Sequence, residues 1–123
     1  MKLCEMLEQI DNLKPNAYSK KIKVKWISDL DMDIFKNVIS NKEDCILKGF
    51  EGYKSGVDDE KILLIPSPFT EIYFHFVAAK IDFNNRETES YANNMIMYNE
   101  LYNDFSSYYI RNHLPKQKYS IRV

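Results

Sequence analysis

The sequence predicts a mostly α-helical fold: a small four-helix domain over residues 1–114, with a long mid-chain loop at 41–66 and an extended C-terminal tail at 115–123. Three observations predict it. Between Tyr91 and Tyr109 the apolar residues Tyr91, Met95, Tyr98, Tyr102, Phe105 and Tyr109 recur at alternating steps of four and three, which keeps them on one face of a helix. All three glycines, Gly49, Gly52 and Gly56, fall inside one stretch that lacks such a period. Prolines stand where the periodic stretches begin or end. With 123 residues the chain is long enough for one domain and one core.

The first helix spans 2–13, because Leu3, Met6, Leu7 and Ile10 repeat at helical spacing. Pro15 and Asn16 stop it. Either Asn16 or Ser19 can cap the next helix, which runs to about Ile39 with Ile22, Trp26, Ile27, Leu30, Ile34 and Val38 inward. Lys20, Lys21, Lys23 and Lys25 crowd its first turns, where the helix dipole disfavours positive charge; they read as a solvated face. In the loop that follows, 46–53 and 61–65 are apolar enough to pair as a short hairpin. Ser67-Pro68 reads as an N-cap with proline at the first helical position. In the third helix Phe69, Ile72, Tyr73, Phe76, Ala79 and Phe83 line one face, and Phe74, Ala78 and Ile81 another. Asn84-Asn85 marks a break, and the fourth helix runs from Arg86 to Asn112, stopped by Pro115. Beside its aromatic stripe lies a second line, Met97, Leu101 and Tyr108. So broad an apolar face asks for more partner surface than a small monomer offers, which makes assembly an expectation. Tyr98, Tyr102 and Phe105 are expected to point inward.

The net charge of −1 does not suggest a nucleic-acid binder. Cys4 and Cys45 are far apart and form no CxxC pair, so Cys4 is expected as a reduced, buried thiol of an intracellular protein. Glu5, Glu8 and Asp11 interrupt any signal-peptide core, and no apolar run approaches a membrane span, so the chain reads as soluble. Asp29, Asp31 and Asp33 imitate the start of an EF-hand loop. Ile34 stands where that loop needs glycine and Ser40 where it needs glutamate, so the three carboxylates read as solvated or capping. Asp58-Asp59-Glu60 reads as exposed. His75 is expected to be a hydrogen-bonded core or interface imidazole, and His113 to complement a helix C-terminus. Nucleotide, zinc-protease and hydrolase motifs are missing. The expectation is therefore a structural or binding role, with no enzyme activity, no cofactor and no metal.

Much of the chain resembles a known family. The matching residues are Leu64-Ile65-Pro66-Ser67-Pro68-Phe69, Glu71-Ile72-Tyr73, Ile81-Asp82-Phe83-Asn84, Tyr91, Asn93, Met95, Met97, Tyr98-Asn99, Tyr102, Tyr109, Arg111, His113 and Pro115. The run Leu13 to Tyr18 and Trp26 match in the N-terminal part. These resemble the head–tail adaptor (connector) proteins of long-tailed phages and prophages of low-GC Gram-positive bacteria. Ala92, Ile110 and Asn112 depart from the pattern, where Asn, Asn and Thr are expected. The resemblance implies a virion protein at the head–tail junction, forming a twelve-membered ring beneath the portal and meeting the next tail-proximal protein. Genomic DNA would pass through the channel without sequence-specific binding, and no membrane is involved. On that reading Lys116, Lys118, Tyr119, Ile121, Arg122 and Val123 bind the portal as an added strand or clamp. Phe74, Ala78, Ile81, Met97, Leu101 and Tyr108 form the subunit interface. Gly49, Phe50, Gly52, Tyr53, Asp58 and Asp59 form a loop facing the tail or the channel. Two alternatives stand beside it: a small helical DNA-binding or regulatory phage protein using Lys20 to Lys25, and a small enzyme or chaperone using His75.

Overall fold

A computed structural model describes residues 1–39 and 50–112. Among them are four α-helices and no sheet: α1 (Leu3–Leu13), α2 (Lys20–Ile34) continuing into a π-helical turn (Phe35–Ile39), α3 (Glu71–Asn85) and α4 (Thr88–Asn112). The mostly helical class holds.

Helix α1 buries Leu3, Met6, Leu7 and Ile10, the expected face. Its early amides have no partners within the helix. The Lys2 amide donates to the Glu5 carboxylate (2.8 Å), while the Leu3 and Cys4 amides donate to the carbonyls of Lys61 and Asp59 (2.9 Å each). Leu63 in turn donates its amide to the Met1 carbonyl, and Lys2 and Ile62 form an antiparallel bridge. Residues 61–63 thus pair with the N-terminus and cap α1. This replaces the hairpin of 61–65 with 46–53: residues 46–49 lie outside the described residues, and 50–53 pair with no strand.

Ser19 is the cap of α2, accepting from the Ile22 amide at 3.2 Å. Asn16 instead orders the α1–α2 turn, accepting from the Tyr18 amide and donating to the Lys14 carbonyl. Ile27, Leu30, Ile34 and Val38 are buried as expected, but Trp26 is half-buried and Ile22 exposed. Lys23 is the larger correction. It is only 4% exposed, because it reaches across to Asp11 of α1 (2.6 Å) and Asn16.

The start of α3 also differs from expectation. Pro66 accepts from the Phe69 amide, and the helix begins at Glu71, so Ser67-Pro68 lies in a preceding turn with a cis peptide bond. Phe69 sits before the helix. At the far end Arg86 adopts a left-handed conformation (φ 61°), and only Arg86 and Glu87 separate α3 from α4. The two helices form an antiparallel hairpin, and its ring contacts record the direction. Phe83 meets Tyr91 (5.7 Å between centroids), Phe76 meets Tyr98 (5.3 Å), and Phe69 meets Phe105 (5.7 Å). As one series descends the other climbs. The aromatic stripe of α4 therefore faces α3 of its own chain. Phe105 is buried, while Tyr98 and Tyr102 are half-buried against the core.

Candidate functional site

Two buried carboxylates organise the polar interior. Asp31 replaces an apolar residue on the inward row Ile27, Leu30, Ile34, so α2 carries it into the core. The Tyr53 hydroxyl donates to its Oδ2 and the Tyr73 hydroxyl to its Oδ1, both at 2.6 Å. The Leu64 amide adds a third donor at 3.2 Å. No cation pairs with it among the described residues. Burial pushes its carboxyl up to about 6, against the pull of those three hydrogen bonds. The same burial, reinforced by the Asp31 charge and hydrogen bond, holds both tyrosine hydroxyls well above their ordinary range. Asp31 is thus neither solvated nor capping. Asp29 and Asp33 do stay at the surface: Asp29 pairs with Lys25, and Asp33 accepts from Asn37 and from the Tyr102 hydroxyl.

Asp82 is the second. Its Oδ1 pairs with Lys14 Nζ (2.7 Å), and its Oδ2 accepts from Ser90 Oγ (2.6 Å) and Asn94 Nδ2 (2.9 Å). Burial pushes this carboxyl up, but Lys14, Ser90 and Asn94 together hold it below the ordinary carboxylate range. The Asn94 side-chain oxygen lies 2.9 Å from His75 Nδ1, so His75 is a half-buried, hydrogen-bonded imidazole between α3 and α4, as expected. At the α3–α4 corner an open concavity of about 710 Å³ is lined by Asp82, Phe83, Asn84, Arg86, Glu87, Thr88 and Tyr91. Asp82 meets it with both oxygens engaged by Lys14, Ser90 and Asn94. Among the described residues no three His, Cys, Asp or Glu side chains converge as metal ligands.

The charged surface runs are mostly paired. Lys20 binds Asp59 (2.6 Å), Lys23 binds Asp11 and Lys25 binds Asp29, which leaves Lys21 of the basic cluster. Asp58 pairs with Lys61 and accepts from the Lys54 amide, and Glu60 pairs with Lys2. The acidic run is therefore tied down, with Asp58 and Asp59 half-buried. Cys4 is half-buried rather than buried; its thiol donates to Glu60 (3.5 Å), and burial, followed by that carboxylate, raises its pKa.

The residues singled out from the sequence separate into groups. The whole tail set, Lys116, Lys118, Tyr119, Ile121, Arg122 and Val123, lies outside the described residues, as do His113, Gly49 and Cys45. In the loop, Tyr53 is buried on Asp31, Phe50 meets the Tyr53 ring edge-on (5.0 Å between centroids), and Gly52 lies against Ser28 of α2. Ala78 and Ile81 are buried in the chain's own core, so they have no surface for a neighbour. Phe74 and Leu101 are half-buried, while Met97 and Tyr108 are 42% and 38% exposed. With Ile96 and Ile110 also exposed, α4 keeps apolar side chains in solvent at two places, 96–97 and 108–110. Sequence reasoning missed Asp31, Asp82 and Lys23 as interior groups, although the place of Asp31 on an apolar row was a usable signal.

Compared with protein-family models, curated proteins and solved structures, the chain matches none. No helix among the described residues is long and apolar enough to cross a membrane.

Proposed function

We propose that the chain is a structural subunit of a phage head–tail junction, an adaptor that assembles into a ring beneath the portal and continues the DNA channel toward the tail. The family resemblance of the Leu64-to-Pro115 pattern motivates this reading. The observation that carries it is the outer surface of α4, where Ile96, Met97, Tyr108 and Ile110 remain exposed on a 25-residue helix of which only Phe105 is fully buried. Exposed apolar side chains repeated along one element mark an interaction surface. In a ring each subunit offers one face to its left and a different one to its right. Phe74, Met97, Leu101 and Tyr108 are the interface residues with surface to offer. In the loop, the turn around Lys54 to Val57 is the part open to a tail-side partner, Val57 being 74% exposed. The tail residues Lys116 to Val123 are proposed to enter a portal crevice.

The test is native mass measurement of the purified chain, alone and with a portal protein of a low-GC Gram-positive phage. A ring-sized complex with the portal, lost on deletion of 116–123, is the expected result. A chain that stays monomeric and ignores the portal would sink the reading. The DNA-binding alternative has less behind it, because three of its four lysines already hold carboxylates of the chain itself.

A further inference from the structure

One flank of α4 combines apolar surface with uncommitted negative charge. Met97, Glu100, Leu101, Asp104 and Tyr108 follow at helical spacing, so they form a single row. Met97 and Tyr108 are exposed, Leu101 is half-buried, and Glu100 and Asp104 stand in solvent. Neither acid has an ion-pair partner among the described residues. What settles on this row should be apolar and basic at once.

Beyond Asn112 the chain continues for eleven residues with Lys116, Lys118 and Arg122, no acidic side chain, and Leu114, Tyr119, Ile121 and Val123 between them. The chain's other acid-free basic run, Lys14 to Lys25, is mostly committed: Lys14, Lys20, Lys23 and Lys25 each hold a carboxylate, which leaves Lys21. The segment is long enough to cover the row. Eight extended residues span about 26 Å, against about 16 Å of helix from Met97 to Tyr108. The segment leaves from the end of α4, whereas the row lies on its flank. Donor and acceptor are therefore different surfaces, an arrangement that can propagate head to tail and that closes into a ring where the rotation between copies permits.

We propose that residues 113–123 of one subunit dock on the Met97–Tyr108 flank of α4 in a second copy, with Lys116 and Lys118 facing Glu100 and Asp104. The inference rests on the ring reading, and it makes the neighbour's flank a competitor of the portal for the same segment. The test uses two full-length variants, E100K/D104K and K116E/K118E, in sedimentation velocity at low and moderate salt. Each alone should self-associate about tenfold or more weakly than the unmodified chain, because like charges then meet. An equimolar mixture should regain association, since each variant supplies the partner that the other needs. Association unchanged in the single variants overturns the proposal, as does a mixture as weak as its components or an unmodified chain that is monomeric throughout. If a lysine variant loses its helical circular dichroism, E100Q/D104Q, which should weaken association less, replaces it. Portal pull-down with the unmodified chain is scored separately. Failure there removes the adaptor reading, while charge-swap rescue speaks only to the contact between copies.

Discussion

Asp31 and Asp82 are both wholly buried and both hydrogen-bonded, yet their environments push them in opposite directions. Asp31 receives two tyrosine hydroxyls and an amide, all neutral, and its pKa still rises to about 6. Asp82 receives a hydroxyl, an amide and the Lys14 ammonium, and its pKa falls below the ordinary range. Two things differ. Asp31 lies deep in the core with only neutral donors, which offset part of the loss of water around its carboxylate. Asp82 lies just beneath the open α3–α4 corner and has the Lys14 ammonium at 2.7 Å. The two sites also join different parts. Asp82 ties α3 to α4 and, through Lys14, to the end of α1. Asp31 ties α2 and α3 to the irregular segment 53–64, whose other anchor is the pairing of its 59–63 stretch with the start of α1.

Removing each carboxylate separates these roles most strongly. Asp31→Ala leaves two buried hydroxyls and a partly buried amide without an acceptor, at about 1–3 kcal/mol for each orphaned group, so a loss of about 3–5 kcal/mol is expected after relaxation. Asp82→Ala should cost less, about 2–3 kcal/mol, because Lys14 is 23% exposed and can turn to water. Urea denaturation of the two variants measures the pair. Equal losses would break the comparison.

Gly52 tests how tightly the loop is held near Asp31. Its φ is +89°, and a β-carbon there would collide with Ser28 Oγ, the group that accepts from the Tyr53 amide. Gly52→Ala should destabilise by about 2–3 kcal/mol through strain and displacement of that hydroxyl. Gly56 shares a positive φ but faces open space, so Gly56→Ala should cost about 1 kcal/mol, from backbone strain alone. Thermal melts side by side check the ratio, and similar shifts would mean that Ser28 yields freely.

The pH profiles should slope in opposite directions. The folded-state pKa of Asp31 lies above its unfolded value, so the folded chain binds that proton more tightly. Its contribution is fully present below about pH 4, declines as pH rises, and is lost above about pH 6, a change of about 3 kcal/mol. For Asp82 the folded pKa lies below the unfolded one, so its contribution is present above about pH 4 and is lost as pH falls further. Stability measured from pH 3 to pH 8 should lose its neutral-side decline in Asp31→Asn and its acid-side decline in Asp82→Asn. The same slope in both variants would show that the two sites are not distinct.

What the sequence made legible was local. Apolar spacing placed α1, α2 and α4 to within two residues or so, and the Ser19 cap and the aromatic stripe follow from rules that act over one or two turns. What it hid was long-range. The partner of 61–63 is the N-terminus, some sixty residues earlier, and Asp31 meets Tyr53 and Tyr73 across 22 and 42 positions. Ser67-Pro68 has the local form of a helix start, but the Pro66 carbonyl takes the Phe69 amide and delays the helix. By residue type Lys23 belongs in solvent; only the position of Asp11 on the neighbouring helix shows why it is buried. The stripe on α4 was visible, whereas its partner, α3 of the same chain, was not. The tail and the start of the loop lie outside the described residues, and their roles rest on the adaptor proposal.

The smallest difference divides the Asp31 site itself. Both tyrosine hydroxyls donate to the carboxylate at 2.6 Å, so by that bond alone Tyr53→Phe and Tyr73→Phe should be equal. They are not equivalent, because the Tyr73 oxygen also accepts from the Ile65 amide at 2.9 Å. Phenylalanine at position 73 therefore orphans a buried backbone donor as well as removing a hydrogen bond to Asp31. Tyr53→Phe should cost about 1 kcal/mol and Tyr73→Phe about 1 kcal/mol more. Each also deprives Asp31 of a donor that favours its charged form, so the neutral-side decline in stability should steepen in both variants. If both variants lose the same stability, Ile65 has found another acceptor. If the decline fails to steepen, burial alone sets the Asp31 titration, and the tyrosines serve to hold the loop rather than to hold the charge.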